Sequence, residues 1–190
     1  MNIIEKLKSE FPISKVDIQR SDLAFVTCAA DRVKDLLSHL KEKGYRHLVM
    51  ISAVDWIEKD IFQITYLVHR YEDHTDIGVR IEIPRSNPIA PGIHALWPTA
   101  HIYQRELKEM FGVDFLGSPR QGEPMMLEGW DNIPPMRKDF DTKRYSEETF
   151  FPRPGRQTTD PKQHMRETTY PSDAAINDEV KQRVRTNRNQ

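Results

Sequence analysis

The densest charged sequence on an otherwise apolar helical pattern is Gln104-Arg105-Glu106-Leu107-Lys108-Glu109-Met110-Phe111-Gly112. Tyr103, Leu107, Met110 and Phe111 recur at helical spacing, and Ile102, Glu106 and Met110 mark a neighbouring stripe. Glu106 therefore shares a face with apolar positions and is expected to be at least partly desolvated. A carboxylate out of water needs a cation or several N–H donors, which Arg105 or a distant arginine could supply. Two roles fit. One is a general acid or base with a raised pKa, with His101 as partner, in a free-standing soluble enzyme. The other, commoner for such groups, is an ion pair inside the fold or at an interface. Little else in the sequence completes an active site. The seven histidines stand without a His-x-x-x-His pair or Cys/His cluster, so no metal site is expected. There is no Gly-x-Ser-x-Gly elbow and no glycine-rich phosphate loop. The single cysteine, Cys28, lies in an apolar run and reads as a buried small side chain, which leaves no disulfide and no cluster ligated by this chain alone.

A second group of residues suits binding better than catalysis. In Pro134-Pro135-Met136-Arg137-Lys138-Asp139-Phe140 two prolines stiffen an extended segment, and Arg137, Lys138 and Asp139 follow without helical order. Such a triplet is either a solvated loop or a docking segment in which Arg137 holds a partner carboxylate bidentately. Its neighbours favour docking. Phe140, Tyr145, Phe150 and Phe151 are aromatic anchors without a core of their own, and Arg153 and Arg156 lie among them, a composition typical of interfaces.

These residues belong to a chain of two unlike parts. Of 190 residues 37% are hydrophobic, yet only ten of the last fifty are. A domain over 1–140 can bury a sizeable core, while 141–190 cannot and is expected to be an extended segment that wraps a partner. That segment holds ten basic and eight acidic residues, and the whole chain has a net charge of −1. Such balance argues against a nucleic-acid or anionic-membrane binder. Neither a signal peptide nor a membrane span is evident, so the expected place is cytoplasmic, with membrane contact only through partners.

The elements that must position these residues follow from periodicity. A short helix is expected over 2–10, and a strand pair over 15–28 turned at Ser21-Asp22. Val33, Leu36, Leu37 and Leu40 predict a second helix, capped by Asp31 and ended by Gly44. Three strands follow, roughly 47–57, 61–70 and 76–84, and a last helix runs from Trp97-Pro98-Thr99 to Gly112. The order predicts an α+β fold with an antiparallel or mixed sheet of about four to five strands and helices on one face.

Several of these residues also carry a family pattern. Leu96-Trp97-Pro98-Thr99-Ala100, then Arg105-Glu106, then Met110-Phe111-Gly112-Val113, resemble the signature of the 30 kDa (C-type) subunit of complex I. Pro135-Met136-Arg137-Lys138-Asp139-Phe140 is similar to that family's Pro-Leu-Arg-Lys-Asp-Phe motif, and Asp55-Trp56 to its strand-ending aspartate. Gln104 and Glu109 stand where the pattern has Glu and Asp. The family extends to F420H2 dehydrogenases and membrane-bound energy-converting [NiFe] hydrogenases. The resemblance implies a hydrophilic protein without a cofactor of its own, packed against a large catalytic (D-like) subunit and a small iron–sulfur (B-like) subunit. Iron–sulfur clusters, and in some relatives a [NiFe] centre, would belong to those partners. It also implies interface roles for Trp97, Pro98, Arg105, Glu106, Phe111, Gly112, Arg137, Lys138, Asp139 and Phe140, and for Phe150, Phe151 and Arg153 in the terminal segment.

Overall fold

Alternation in the strands and a 3.6-residue stripe in the helices meet at one core. Phe62, Ile64, Tyr66 and Val68 are fully buried along one strand, while Gln63, Thr65 and Leu67 on its other face are half-buried. Leu7 and the stripe Val33, Leu36, Leu37 and Leu40 complete the covered side. The structure, a computed structural model, describes residues 2–150, and the chain divides into a unit Met1–Asp141 and a second unit Thr142–Gln190.

In the first unit, α1 (Asn2–Glu10) leads into the antiparallel hairpin β1 (Ile13–Arg20) and β2 (Leu23–Cys28), then α2 (Val33–Glu42). A meander follows, formed by β3 (His47–Trp56), β4 (Ile61–Arg70) and β5 (Thr75–Pro84). The five strands form one mixed sheet in the order β1-β2-β5-β4-β3. Only β2 and β5 run parallel, because the chain crosses over through α2 and the meander before returning to the hairpin. Beyond it come β6 (Ile89–Pro91), α3 (Ala100–Phe111) and β7 (Asp114–Leu116). The three-residue strands β6 and β7 pair in parallel, a contact too short and proline-rich to leave a periodic signal.

Three sequence expectations need correction. Asp31 does not cap α2. It lies in a 3-10 turn over Ala30–Arg32, whose backbone bonds run into the helix and leave Arg32 at the N-cap with no side-chain bond. Helix α3 begins at Ala100 rather than Trp97, since Trp97–Thr99 form a turn in which the Ala100 N–H donates to the Trp97 carbonyl. The segment after 141 does not begin extended. The helix α4 (Thr142–Phe150) occupies it, with i,i+4 pairs Lys143–Glu147 and Arg144–Glu148 on its surface. Gly44 (φ +97°) and Gly112 (φ +80°) sit just past α2 and α3 in the left-handed conformation that ends a helix, as expected.

Candidate functional site

The strand pairing brings the ends of β3 and β5 to the same end of the sheet, one on each side of the start of β4, and this is where the Pro135–Phe140 motif lands. Asp55, with a side chain only 1% exposed, faces Arg85 just past β5, with Nε and Oδ1 2.8 Å apart and Nη2 and Oδ2 3.1 Å apart. Arg85 Nη2 also donates to Asp139 Oδ1 at 2.9 Å, and the Lys138 backbone N–H donates to Asp55 Oδ2 at 2.8 Å. Arg137 stands 3.4 Å from Asp139, and the guanidinium groups of Arg137 and Arg85 both lie over the Phe62 ring. Burial opposes the charge on Asp139, yet its own backbone N–H, Arg85 and Arg137 outweigh that and hold its carboxyl below the ordinary range. Burial likewise works against the Arg85 charge, and Asp55 and Asp139 overcome it.

This node divides the labour of the triplet. Asp139 and the Lys138 backbone are engaged within the chain, and Arg137 packs on Phe62, while the Lys138 side chain is exposed with no ion pair among the described residues. Arg85 was missed in sequence. A buried aspartate at a strand end requires a cation, but only the sheet order says which arginine is within reach.

Helix α3 carries the second constellation. Its buried face is Ala100, Gln104, Leu107, Met110 and Phe111, so Gln104, not Glu106, takes the position out of water. Both polar atoms of the Gln104 amide are buried without a hydrogen-bond partner among the described residues. Glu106 is half-buried and has no ion pair or hydrogen bond among the described residues, because the Ile102–Glu106–Met110 stripe runs along the edge of the covered face. His101 Nδ1 donates to the Pro98 carbonyl at 2.5 Å. Five positions along a helix set His101 and Glu106 about 140° apart around the axis, so the two do not face a common substrate position.

Arg105 and Glu109, one turn apart, reach the loop that follows β7 instead. Arg105 Nη2 donates to the carbonyls of Glu123 (3.3 Å) and Pro124 (3.0 Å). The Glu109 carboxylate accepts the backbone N–H groups of Met125, Met126 and Leu127 at 2.9–3.2 Å. Burial alone would raise the Glu109 pKa, but these three donors and the Arg105 charge lower it below the ordinary value. The sequence places Glu109 on the right helix face but carries no sign of its target, a stretch of backbone 16 to 18 residues further on.

The remaining motif residues act as struts. Trp97 Nε1–H donates to the Arg46 carbonyl at 2.8 Å and lies under Lys41, which also donates to the Leu96 carbonyl. The Tyr103 hydroxyl donates to the Val49 carbonyl at 2.9 Å, at the bulge where the β3–β4 register slips. Phe111 meets Phe62 edge to face with centroids 6.1 Å apart, and the Met136 N–H donates to the Met110 carbonyl beside Gly112. Phe140 packs against Trp130 with centroids 5.5 Å apart. Phe150 ends α4, and Phe151 and Arg153 lie outside the described residues. Three histidines isolated in sequence do meet, with His69 bonded to Asp76 at 2.8 Å and near His74, and with Tyr71 between His69 and His47. Among the described residues no three His, Cys, Asp or Glu side chains are placed to hold a metal ion, and no helix is long and apolar enough to cross a membrane.

Comparison with known proteins agrees with this arrangement. Residues 26–146 match the family described as "Respiratory-chain NADH dehydrogenase, 30 Kd subunit". The chain is 31% identical over 140 residues to the C-type subunit of the NADH-quinone oxidoreductase of Moorella thermoacetica, covering 73% of this chain and 93% of that protein. It is 27% identical over 147 residues to the C-type subunit of the F(420)H(2) dehydrogenase of Methanosarcina mazei, covering 73% and 90%. Among solved structures, a chain of the membrane-bound sulfane sulfur reductase, an archaeal respiratory membrane complex, superposes with a TM-score of 0.73 at 25% identity, covering 78% of this chain and 89% of that one. These relatives are subunits of complex I-like complexes, and the family match over 26–146 contains the β3–β5 meander, α3, its loop and the Asp55–Arg85–Asp139 node. The chain belongs to the 30 kDa subunit family of respiratory-chain NADH dehydrogenase.

Proposed function

We propose that the chain is a non-catalytic structural subunit of a membrane-attached, complex I-like redox complex, peripheral to the membrane on its cytoplasmic side. It holds a large, D-like catalytic subunit and a small, B-like iron–sulfur subunit in register and carries no cofactor of its own. The iron–sulfur clusters, and a [NiFe] centre if there is one, sit in the partners. Electron transfer falls steeply with distance, so a rigid holder serves the reaction without touching its substrates, and through it the coupled movement of ions.

The observation that carries this reading is how the family motifs are used. Trp97, Arg105, Arg137 and Asp139 hold the chain's own loops and turns, Phe111 packs on the core residue Phe62, and the Lys138 side chain is exposed with no ion pair among the described residues. Residues that stiffen surface loops serve recognition better than turnover. The test is native purification through a tag on this chain, with identification of the co-purifying subunits and metal analysis of the assembly. Recovery with a large subunit and an iron–sulfur subunit is expected. Recovery of the chain alone under gentle extraction would overturn the proposal. A large subunit with bound nickel would specify the hydrogenase type.

A further inference from the structure

At the end of the sheet opposite the Asp55 node lies a cavity of about 410 Å³. It is bordered by α1, the β1–β2 turn, the residues that follow α2 and the β4–β5 turn. Its size is within the roughly 300–1,000 Å³ of small-molecule sites, and walls from four separate segments suit a small molecule better than a flat protein surface. The inner wall is apolar, with Ile4, Ala24, Tyr45 and Ile77 buried. Ile18, on the outer strand β1, lines the cavity while 56% exposed.

Four cations and three carboxylates line the same cavity, and the carboxylates are all engaged within the protein. Asp22 pairs with Arg20 at 3.3 Å, and Asp76 with His69 at 2.8 Å. Asp73 takes Arg70 twice, through Nε at 2.7 Å and through Nη2, and also accepts the Thr75 hydroxyl at 2.7 Å. Arg70 lies over the Tyr45 ring and donates to the Lys43 carbonyl, so its geometry is fixed. Lys6 and Lys43 remain, exposed and without an ion pair among the described residues. Glu5 and Glu72 are exposed near them in sequence, but neither lines the cavity, and among the described residues no ion pair joins either to these lysines.

An apolar wall open to water is stabilised when an apolar chain covers it. A cationic ligand would find each carboxylate already held by a cation of the protein, whereas an anion finds two ammonium groups with donors to spare. One kind of molecule meets both conditions. We propose that this cavity binds a small anionic amphiphile, its apolar chain against Ile4, Ile18, Tyr45 and Ile77 and its carboxylate or phosphate head on Lys6 and Lys43. The site and the subunit reading above stand independently of each other.

The test titrates the full chain, labelled at the isoleucine δ1 methyls, with decanoate and decyl phosphate below their micelle concentrations. Ile3, Ile4, Ile18 and Ile77 all line the cavity, so one spectrum reads its wall. Both probes are expected to shift these four methyls saturably and to leave those of Ile51 and Ile93, in the core elsewhere, in place. Decanol should bind about tenfold more weakly, the loss of one charge-assisted contact. Inorganic phosphate and decyltrimethylammonium should shift none of them. Lys6→Glu/Lys43→Glu, at two exposed positions, should weaken decanoate about tenfold or more and leave decanol and the melting temperature unchanged. Ile18→Asp, also exposed, should weaken decanoate and decanol together. Flotation with phosphatidylglycerol vesicles, lost in the lysine variant, assigns the head to a membrane lipid. Binding of decyl phosphate without flotation assigns it to a free amphiphile, and either result keeps the site. Equal binding of decanol and decanoate, or binding of the alkylammonium as tightly as decanoate, overturns the proposal. So do shifts confined to methyls outside the cavity, or none with either anionic probe.

Discussion

Asp55 is the residue on which the end of the sheet depends. Its carboxylate is almost wholly removed from water, ion-paired with Arg85, and accepts hydrogen bonds from Arg85 and the Lys138 backbone at Oδ2. Removing one partner of a buried ion pair leaves an uncompensated charge, which costs far more than the pair contributes. Arg85→Ala should therefore destabilise the protein by about 3 kcal/mol, readable in urea unfolding. A loss under about 1 kcal/mol would mean that the node is ornamental and that water serves Asp55 equally well. Glu109 makes a different, pH-dependent contribution. Its folded pKa is lowered below the ordinary 4.5, so the stabilisation is complete at neutral pH and fades as the pH falls below 4.5 through the lower folded value. Amide exchange at Met125–Leu127 should accelerate over that acidic window in the parent protein. In Glu109→Gln, which has no carboxylate to titrate, the acceleration should be absent. Cys28, whose thiol burial and Asp31 push up to about 11, should stay unreactive toward alkylating agents until the protein unfolds.

At the scale of elements, α3 does more than cover the core. Its N-terminal approach ties the outer strand β3 through Trp97 and Tyr103 to the carbonyls of Arg46 and Val49. This also protects an edge strand that would otherwise present free backbone groups. Its outer face holds the loop, and its end at Gly112 receives the Pro134 turn. The φ of +80° at Gly112 is strained for any L-residue, and a Cβ there would stand 3.2 Å from Pro134 Cγ. Gly112→Ala should cost about 1–2 kcal/mol in thermal unfolding. It should also loosen residues 134–137, seen as faster proteolysis in that turn. If the variant melts with the parent and resists protease equally, the helix end and the strap are independent.

At the scale of the molecule, the charged node and the loop clamp both lie within the unit Met1–Asp141. Truncation after Asp141 should therefore keep that unit folded, with a melting temperature within about 2–4 °C of the parent. The same truncation should lower recovery of the partner subunits, because the lost segment holds the remaining aromatic and arginine anchors, among them Phe150, Phe151 and Arg153. A large fall in melting temperature would show instead that residues 142–190 belong to the folded core.

The α+β class, the approximate limits of β1 to β5, the buried stripe of α2, and the helix ends at Gly44 and Gly112 were all legible in the sequence. Each is a local matter of periodicity and backbone conformation, decided within a few neighbouring residues. The family was legible too, because its motifs are short and ordered. Long-range pairing was not. That Asp55 takes Arg85, that Gln104 rather than Glu106 is enclosed, and that Arg105 and Glu109 serve a loop backbone rather than each other depend on which elements meet. Hydrophobic patterning says that a face is covered but not by what, and a charge in sequence does not show its partner. Only the packed structure brings residues 55, 85 and 139 together, and it turns two side chains of the expected docking triplet, Arg137 and Asp139, to holding their own chain.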